Sequence, residues 1–304
     1  RCVRNMAIKL KNDELKIRIE TAGERYRGSR FDWNGLVSSF RWKGNELLGQ
    51  EKPAFHRNPK IFGRGLHNEF GIKKVLGYDD VAPGEWFPKI GTGWLRRDEK
   101  PYFFYTRYQV EPVQTSWENP AKDRAVFHSD SGVRNGWGWR YTKEVRIEGP
   151  SLKISYTLEN IGEKVIETDE YVHNFLSFDG RPVGPGYRLI LPFAPEPSRL
   201  IENVNPDGVL ALNEKDIEFR CRPRHDFYLG GLSEGVGEKD GLAAGWTLTD
   251  ERTGLSLCEC GSFKPSGVHL WGNAGVISPE LFYSFKIESG DIMTWERVWT
   301  AGKK

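Results

Sequence analysis

The sequence has few of the residues that mark disulfide-rich or metal-binding proteins: its 304 residues include 4 cysteines and 6 histidines. Cys2, Cys221, Cys258 and Cys260 are too few for a disulfide framework in so long a chain, and none has the C-x-x-C spacing of a zinc site. Cys258 and Cys260 are two residues apart, so on a strand they lie on one face, where a disulfide would be strained. We expect buried free thiols, no metal site and a reducing compartment.

A long apolar segment and a large net charge are also missing. No apolar run reaches the roughly 18 residues of a membrane-spanning helix, and 44 Lys and Arg balance 42 Asp and Glu. The densest basic cluster holds Arg25, Arg27 and Arg30, and such spacing is typical of a solvated turn. The sequence predicts neither a membrane segment nor a nucleic-acid interface. We expect a cytoplasmic monomer or homodimer, although the opening RCVRN leaves a removed export signal open.

Long segments of helical period are absent, and short runs with a period of two residues dominate. From Leu152 to Leu158 apolar residues alternate with polar ones, as on a strand with one buried face. The preceding KEVRIEG alternates as well, and Gly149-Pro150 separates the two runs, so residues 143–159 are predicted to form a hairpin. With 34 glycines and 17 prolines between such runs, residues 1–304 are predicted to be one all-β domain of antiparallel sheets.

The C-terminal region shows the same strand pattern. LFYSFKIE and IMTWERVWT flank Ser289-Gly290-Asp291, so a second hairpin is predicted there. Upstream, Pro279 is compatible with a short helical turn, in which Glu280 would be a first-turn acid stabilised by the helix dipole.

The segment Asp169–Gly180, DEYVHNFLSFDG, carries an unusual set of side chains for a strand. His173 and Asn174 lie between aromatic residues, with carboxylates at Glu170 and Asp179. An acid, an imidazole and an amide within five positions break the usual alternation. Histidine has an unperturbed pKa of about 6.5, so it can give or take a proton near neutral pH. Such a group suits proton transfer at the anomeric centre of a sugar.

The order of a strand pair followed by this histidine segment resembles the aldose 1-epimerases, the galactose mutarotase-like proteins. In that family a pair like YTKEVRIEGPSLKISYTLENIGEK leads into Asn-His-x-Tyr-Phe-Asn-Leu-x-Gly, and ETDEYVHNFLSFDG is similar to this motif. GRGLHNEFG resembles the family's Leu-His-Gly-Gly segment, and RGSRFDWNGLVSSFRWKGNELLG, PSGVHLWGN and SPELFYSFKIESGD resemble its first and last strands. The fold that the resemblance implies is an antiparallel β-supersandwich.

The resemblance also implies an activity: interconversion of sugar anomers through ring opening, by acid and base groups and without a cofactor. It places His173 at the general acid and His67 at a second donor to the ring oxygen. The family's base is a glutamate in a Cys/Val-Leu-Glu segment, where this chain reads HLW at 269–271. Glu280 is the nearest candidate for that base. For a family aspartate that binds sugar hydroxyls, the candidates are Asp226 and Asp240.

Aromatic rings match the apolar faces of a sugar, and cations or amides match its hydroxyls or an acidic substituent. Glycine-rich loops around several tryptophans favour pocket walls. The expected partner is a small carbohydrate, neutral or acidic. The predicted substrate-binding residues are Arg64, Asn68, Trp86, Lys89, Trp137, Asn174, His269 and Trp271.

Two other functions fit the same sequence. A sugar-binding module without activity is favoured by Trp271, which stands where the family has its glutamate. A glycoside-processing enzyme needs a carboxylate pair, which Glu170 could form with Glu280 or Asp179.

Overall fold

The computed structural model describes residues 7–52, 58–234 and 245–304. Regular structure in these ranges is almost entirely antiparallel β-strand, which confirms the predicted fold class. The helical elements of the described ranges are two 3-10 turns, Phe178–Gly180 and Pro197–Arg199. Within the described residues, no helix is long and apolar enough to cross a membrane.

The strands form two large sheets and one small sheet. Sheet 1 contains β1 (Ile8–Lys11), β2 (Leu15–Glu20), β3 (Leu36–Trp42), β4 (Asn45–Glu46), β5 (Leu66–Phe70), β13 (Ile166–Asn174), β15 (Glu202–Val204), β18 (Phe227–Gly230), β21 (Gly267–Gly272) and β22 (Ile277–Ile287). Sheet 2 contains β9 (Gln114–Ala121), β10 (Arg124–Arg134), β11 (Trp137–Glu148), β12 (Ser151–Asn160), β14 (Tyr187–Ile190), β16 (Leu210–Leu212), β17 (Asp216–Phe219), β19 (Gly245–Asp250), β20 (Leu255–Gly261) and β23 (Ile292–Lys303). Sheet 3 contains β6 (Trp86–Lys89), β7 (Gly93–Arg96) and β8 (Val110–Pro112).

The spatial order of the strands differs from their order in the chain. Sheet 1 runs β1-β2-β3-β5-β13-β22-β21-β18-β15, with β4 beside β3. Sheet 2 runs β16-β17-β14-β19-β20-β23-β12-β11-β10-β9. The two sheets pack against each other around one large apolar core that takes side chains from both. The centre of sheet 1 therefore joins strands from the first third, the middle and the last part of the chain.

The hairpin predicted at 143–159 is confirmed, and it is longer at its open end. β11 and β12 pair from Glu148 opposite Ser151 to Trp139 opposite Asn160. Gly149 closes the turn with φ +50°, a conformation that favours glycine. The alternation of β12 has the expected cause, because its apolar side chains are buried against sheet 1 and its polar ones as far as Glu159 are half-buried.

The second predicted hairpin is wrong, although both of its strands exist. β22 pairs with β13 and β21 in sheet 1, whereas β23 pairs with β12 and β20 in sheet 2. The turn at 289–291 carries the chain from one sheet to the other, because each strand finds two neighbours in its own sheet. The alternative of a helical turn at Pro279 is wrong as well, since Pro279 and Glu280 lie within β22.

A group of charged and polar side chains, which we call the interior network, lies between the two sheets. Arg297 of β23 is fully buried, and its guanidinium donates to Glu170 Oε2 and Glu259 Oε1, both at 2.7 Å. Burial of two carboxylates with a single guanidinium is costly unless the remaining oxygens are hydrogen-bonded. Asn68 Nδ2 donates to Glu170 Oε1 at 2.6 Å, and Trp246 Nε1 donates to Glu259 Oε2 at 2.9 Å. The interior network therefore ties β13 of sheet 1 to β20 and β23 of sheet 2.

The cysteines in the described ranges carry free thiols, as predicted. Cys260 is exposed, and Cys221 and Cys258 are half-buried, so the expectation of buried thiols is wrong. Cys258 and Cys260 lie on β20, where Leu257 and Glu259 face the interior and the two cysteines face the other way. Cys2 lies outside the described residues.

Candidate functional site

Four titratable side chains from four neighbouring strands lie in a row on one face of sheet 1. His67 of β5 is opposite His173 of β13, and Glu280 of β22 is opposite His269 of β21. His173 Nε2 is 3.6 Å from Glu280 Oε1, which connects the two pairs. We call these residues the histidine-glutamate row. The structure thus brings together the three predicted catalytic residues and the predicted substrate-binding residue His269.

The row lies on the face of sheet 1 that points away from sheet 2. Successive side chains of a strand alternate between faces. Asn68, Glu170 and Asn174 point into the interior network, so their neighbours His67 and His173 point the opposite way. The row and the interior network therefore lie on opposite faces of sheet 1.

Glu280 is held in its protonated form by burial. The side chain is 4% exposed, and loss of solvation raises the pKa of this carboxyl to about 8. Ser278 Oγ donates to Glu280 Oε1 at 3.0 Å and opposes the rise only in part. Burial also holds the pKa of His173 well below its usual range, and the charge of Arg30 adds to that effect. At pH 7 the pair is therefore a neutral imidazole and a carboxylic acid, the reverse of the acid and base that the resemblance implies.

His67 is fully buried and has a defined tautomer. The backbone N–H of Arg64 donates to His67 Nδ1 at 3.3 Å, so the neutral ring carries its proton on Nε2. Within the described ranges, His67 Nε2 has no hydrogen-bond partner. Phe31 stacks on the ring at 4.7 Å, and Tyr26 meets it edge-on at the same separation. His67 thus presents an unused N–H donor from a rigid position.

Beside the histidines lies a cluster of charges, of which the sequence predicted Lys89 as a substrate-binding residue but did not predict Arg30 or Glu69. Arg30 Nε donates to Glu69 Oε2 at 2.8 Å, and its Nη2 donates to Tyr171 Oη at 3.0 Å. Lys89 Nζ lies 3.7 Å from Glu69 Oε1 and donates to the Tyr102 hydroxyl at 3.1 Å. The Arg30 side chain is 10% exposed, so the expectation of a solvated arginine is wrong for it. The signal was present, since Glu69 and Tyr171 are each two residues from a histidine and share its face.

At the other end of the row His269 is buried, but its two partners are more exposed. His269 Nδ1 is 2.8 Å from the Tyr228 hydroxyl, and its Nε2 is 3.0 Å from Lys73 Nζ. Burial and the charge of Lys73 lower the pKa of His269 to about 3. The half-buried Trp271 meets the His173 ring edge-on at 5.0 Å, and its role as a pocket wall stays a prediction. Neither Lys73, in the segment after β5, nor Tyr228 of β18 was predicted, because their surroundings in the sequence give no motif.

The remaining predicted site residues lie apart from the row. Asn68 and Asn174 belong to the interior network, Trp86 lies on β6 of sheet 3, and Trp137 begins β11 of sheet 2. Arg64 reaches the row through its backbone, and its guanidinium lies 3.7 Å from Glu20.

The sequence also suggested carboxylates for a glycoside-processing enzyme and for binding sugar hydroxyls. Glu170 is bound by Arg297 on the opposite face from Glu280, and Asp179 accepts the backbone N–H of Glu46 at 2.8 Å. The structure therefore does not bring Glu170 together with Glu280. Asp226 lines a cleft of about 790 Å³, and Asp240 lies outside the described residues.

Two surface clefts lie side by side, and the first of them adjoins residues that contact His67. The first, of about 420 Å³, is lined by Tyr26 and Arg64, both of which contact His67. The second is the cleft of Asp226, and it shares Gln50 and Lys52 with the first. A ligand in the first cleft would lie beside Tyr26 and Arg64, on the His67 side of the row.

The raised pKa of Glu280 predicts that stability falls as pH rises. The folded protein keeps this carboxyl protonated up to about pH 8, whereas an unfolded chain releases the proton near pH 4.3, about the usual value for glutamate. Between these values the folded state binds more protons, so the free energy of unfolding decreases with pH and levels off above the folded pKa. Urea denaturation of the wild type and Glu280→Gln across this range should show the stability difference falling with pH. A constant difference would contradict the assignment.

Comparisons with known proteins bear on the fold. No protein-family model matches the sequence, and no curated protein matches it. Among solved structures, the Slr1438 protein from Synechocystis sp. PCC 6803 aligns with a TM-score of 0.61 at 12% identity, over 99% of this chain and 97% of that one. A galactose mutarotase-like protein from Lactobacillus casei aligns with a TM-score of 0.55 at 13% identity, over 98% of this chain and 100% of that one.

A third structure, the GalM/aldose epimerase homologue from C. elegans, aligns with a TM-score of 0.53 at 11% identity, over 99% of each chain. The TM-scores show a common architecture. Because the sequence identities are so low, the activity has to be argued from the site. The described strands, their sheet order and these three alignments agree on the architecture. The chain has the fold of the galactose mutarotase-like proteins.

Proposed function

We propose that the protein interconverts the anomers of a sugar by opening and reclosing its ring. The observation that carries the proposal is the approach of His173 Nε2 to Glu280 Oε1 at 3.6 Å, on the same face as the unused N–H of His67. The reaction needs one group that donates a proton to the ring oxygen and one that accepts a proton from the anomeric hydroxyl. A neutral histidine next to a protonated carboxyl supplies both at pH 7.

In the first half of the cycle the protonated Glu280 is the acid. Its proton goes to the ring oxygen, the bond from C1 to the ring oxygen breaks, and His173 takes the proton of the anomeric hydroxyl. The products are an open-chain aldehyde, a Glu280 carboxylate and a His173 imidazolium. The two new charges lie next to each other, so each stabilises the other in a site that excludes water.

In the second half the two groups exchange roles. The C1–C2 bond first rotates. Glu280 then takes the proton of the hydroxyl that was formed from the ring oxygen, and this oxygen attacks C1. At the same time His173 returns a proton to the carbonyl oxygen. The opposite anomer forms, and both side chains return to their starting state. Glu280 is thus a base in this half, but it serves the ring oxygen in both halves, whereas the base that the family resemblance implies takes the proton of the anomeric hydroxyl.

The surroundings of the pair suit a sugar. His67 Nε2–H can donate to a sugar oxygen without losing another partner among the described residues. Phe31 and Trp271 supply apolar ring surface on two sides of the histidines. Arg30, held by Glu69 and Tyr171, adds a fixed positive charge that favours the carboxylate form of Glu280.

The test is the rate of anomer interconversion for purified α-anomers, followed by polarimetry or NMR exchange. The panel should contain neutral hexoses, hexose phosphates and uronates, because the sequence leaves the sugar open. Acceleration above the buffer rate supports the proposal. Binding of a sugar without acceleration would assign the chain to the binding modules, and release of reducing ends from an oligosaccharide would assign it to the glycoside-processing enzymes.

A further inference from the structure

Sheet 1 is interrupted between the two strands that carry His173 and Glu280. β13 and β22 pair regularly from Ile166 opposite Ile287 to Glu170 opposite Tyr283. The next backbone bridge between the two chain segments joins Leu176 to Ile277. Between these points 171–175 and 278–282 make no backbone pairs with each other, although β13 stays paired with β5 and β22 with β21. We call this opening the slit.

The slit exposes carbonyl groups that a continuous ladder would satisfy. A buried carbonyl without a partner is costly, so such groups are nearly always bonded. Two side chains of the interior network supply the missing donors. Asn174 Nδ2 donates to Pro279 O at 2.6 Å, and Arg297 Nη2 donates to Leu281 O at 2.9 Å. These are the two carbonyls on either side of Glu280.

Asn174 also bonds the other edge of the slit. Its Nδ2 lies 3.2 Å from Val172 O, the carbonyl that precedes His173. One amide therefore bridges the backbones that carry the two members of the acid and base pair. Trp299 Nε1 donates to Asn174 Oδ1 at 3.1 Å and fixes the orientation of the amide. Pro279 has no N–H, so an ordinary strand pair could not form at that position.

We propose that Asn174 and Arg297 are positioning residues, which set the separation of His173 and Glu280 by bridging the slit from the interior side. This inference rests on the proposed function for its kinetic consequence. It gives Asn174 a task different from the sugar contact that the sequence suggested. Neither residue touches the substrate, because both lie on the face turned toward sheet 2.

The test is the Asn174→Ala variant, which removes the bridge and leaves all titratable groups in place. Misplacement of reacting groups by about 1 Å can cost about 10²-fold in rate. We expect kcat to fall by about that factor while KM changes by less than about threefold, since the substrate contacts remain. We also expect water to enter the slit, so the titration midpoint of the Glu280 carboxyl, followed by ¹³C NMR, moves down toward the ordinary value.

The matched control is Tyr156→Phe, which removes a hydroxyl that bonds Asn68 in the same interior network but does not touch the slit. It should retain the wild-type kcat and Glu280 titration. If Asn174→Ala does not fold, Trp299→Phe loosens the amide while keeping a ring in the core, and it should shift both readouts in the same direction by less.

The outcomes separate this inference from the proposed function, because the NMR titration needs no substrate. An unchanged Glu280 titration in a folded Asn174→Ala variant would overturn the inference even if the wild type is an active epimerase. A shifted titration in a protein that accelerates no anomer interconversion would support the inference and overturn the proposed function.

Discussion

Replacing Glu280 by glutamine is expected to lower kcat/KM for anomer interconversion by about 10²- to 10⁴-fold, the usual contribution of a positioned acid or base. Glutamine keeps the size of the side chain and can accept the hydrogen bond from Ser278, but it transfers no proton. Because the wild-type carboxyl is already uncharged at pH 7, the substitution changes the local charge little. The loss can therefore be assigned to proton transfer.

The pH dependence gives a second readout of the same residue. In the free wild-type enzyme the acid form of Glu280 is lost as pH rises through about 8, so kcat/KM should decline on that side. The low pKa of His173 moves the decline on the acidic side well below pH 6.5. In Glu280→Gln the alkaline decline should vanish from the residual rate. The measurement is the initial rate of polarimetric change at a series of pH values from about 4 to about 10.

A suitable control for this experiment is Glu167→Gln on the same strand as His173. Glu167 is half-exposed and pairs with Lys74 at the surface, away from the histidine-glutamate row. Its removal should leave both the rate and its pH profile unchanged. Full activity in Glu280→Gln would show that another group supplies the proton, and the assignment of the acid would be abandoned.

The largest expected effect on stability comes from Arg297→Met. The guanidinium is fully buried between Glu170 and Glu259, so its removal leaves two buried carboxylates without a counter-charge. Breaking a buried ion pair in this way costs about 3–5 kcal/mol. We expect the free energy of unfolding to fall by about that amount, with the midpoint of urea denaturation as the measurement.

The triple variant Arg297→Met, Glu170→Gln, Glu259→Gln separates charge from packing. If uncompensated charge causes the loss, neutral amides should restore much of the stability, because they keep hydrogen bonds to Asn68 and Trp246 without the cost of a buried charge. Equal stability of the single and triple variants would contradict this explanation and assign the loss to the cavity left by the arginine.

The sequence predicted which residues of a strand share a face better than it predicted which strands pair with each other. Alternation identifies which residues of a strand share a face, so His67 with Glu69 and His173 with Tyr171 could be grouped in advance. It carries no information on whether β22 pairs with β23 or with β13, because both choices bury the same side chains. The second hairpin failed for that reason, while the first, closed by a two-residue turn, was found.

Arg297 shows why the interior network could not be predicted from the sequence. It lies between Trp295 and Trp299 on the buried face of β23, yet a charged residue in a single sequence is ordinarily assigned to solvent. Its partners Glu259 and Glu170 are 38 and 127 residues away in the chain. The sequence alone gave no means of joining them. Glu280 was identified as the nearest acid to an expected motif, and only the structure gives its distance from His173.

The strand order of sheet 1 also has a consequence for folding. The histidine-glutamate row takes its members from strands that begin at Leu66, Ile166, Gly267 and Ile277, so the chain must close long loops before the row exists. Long-range pairing is slow compared with local hairpins such as β11 and β12. A refolding chain should thus recover much of its strand signal in circular dichroism before it recovers proton transfer. Enzymatic activity would then report the last contacts to form, those between the early and late parts of the chain.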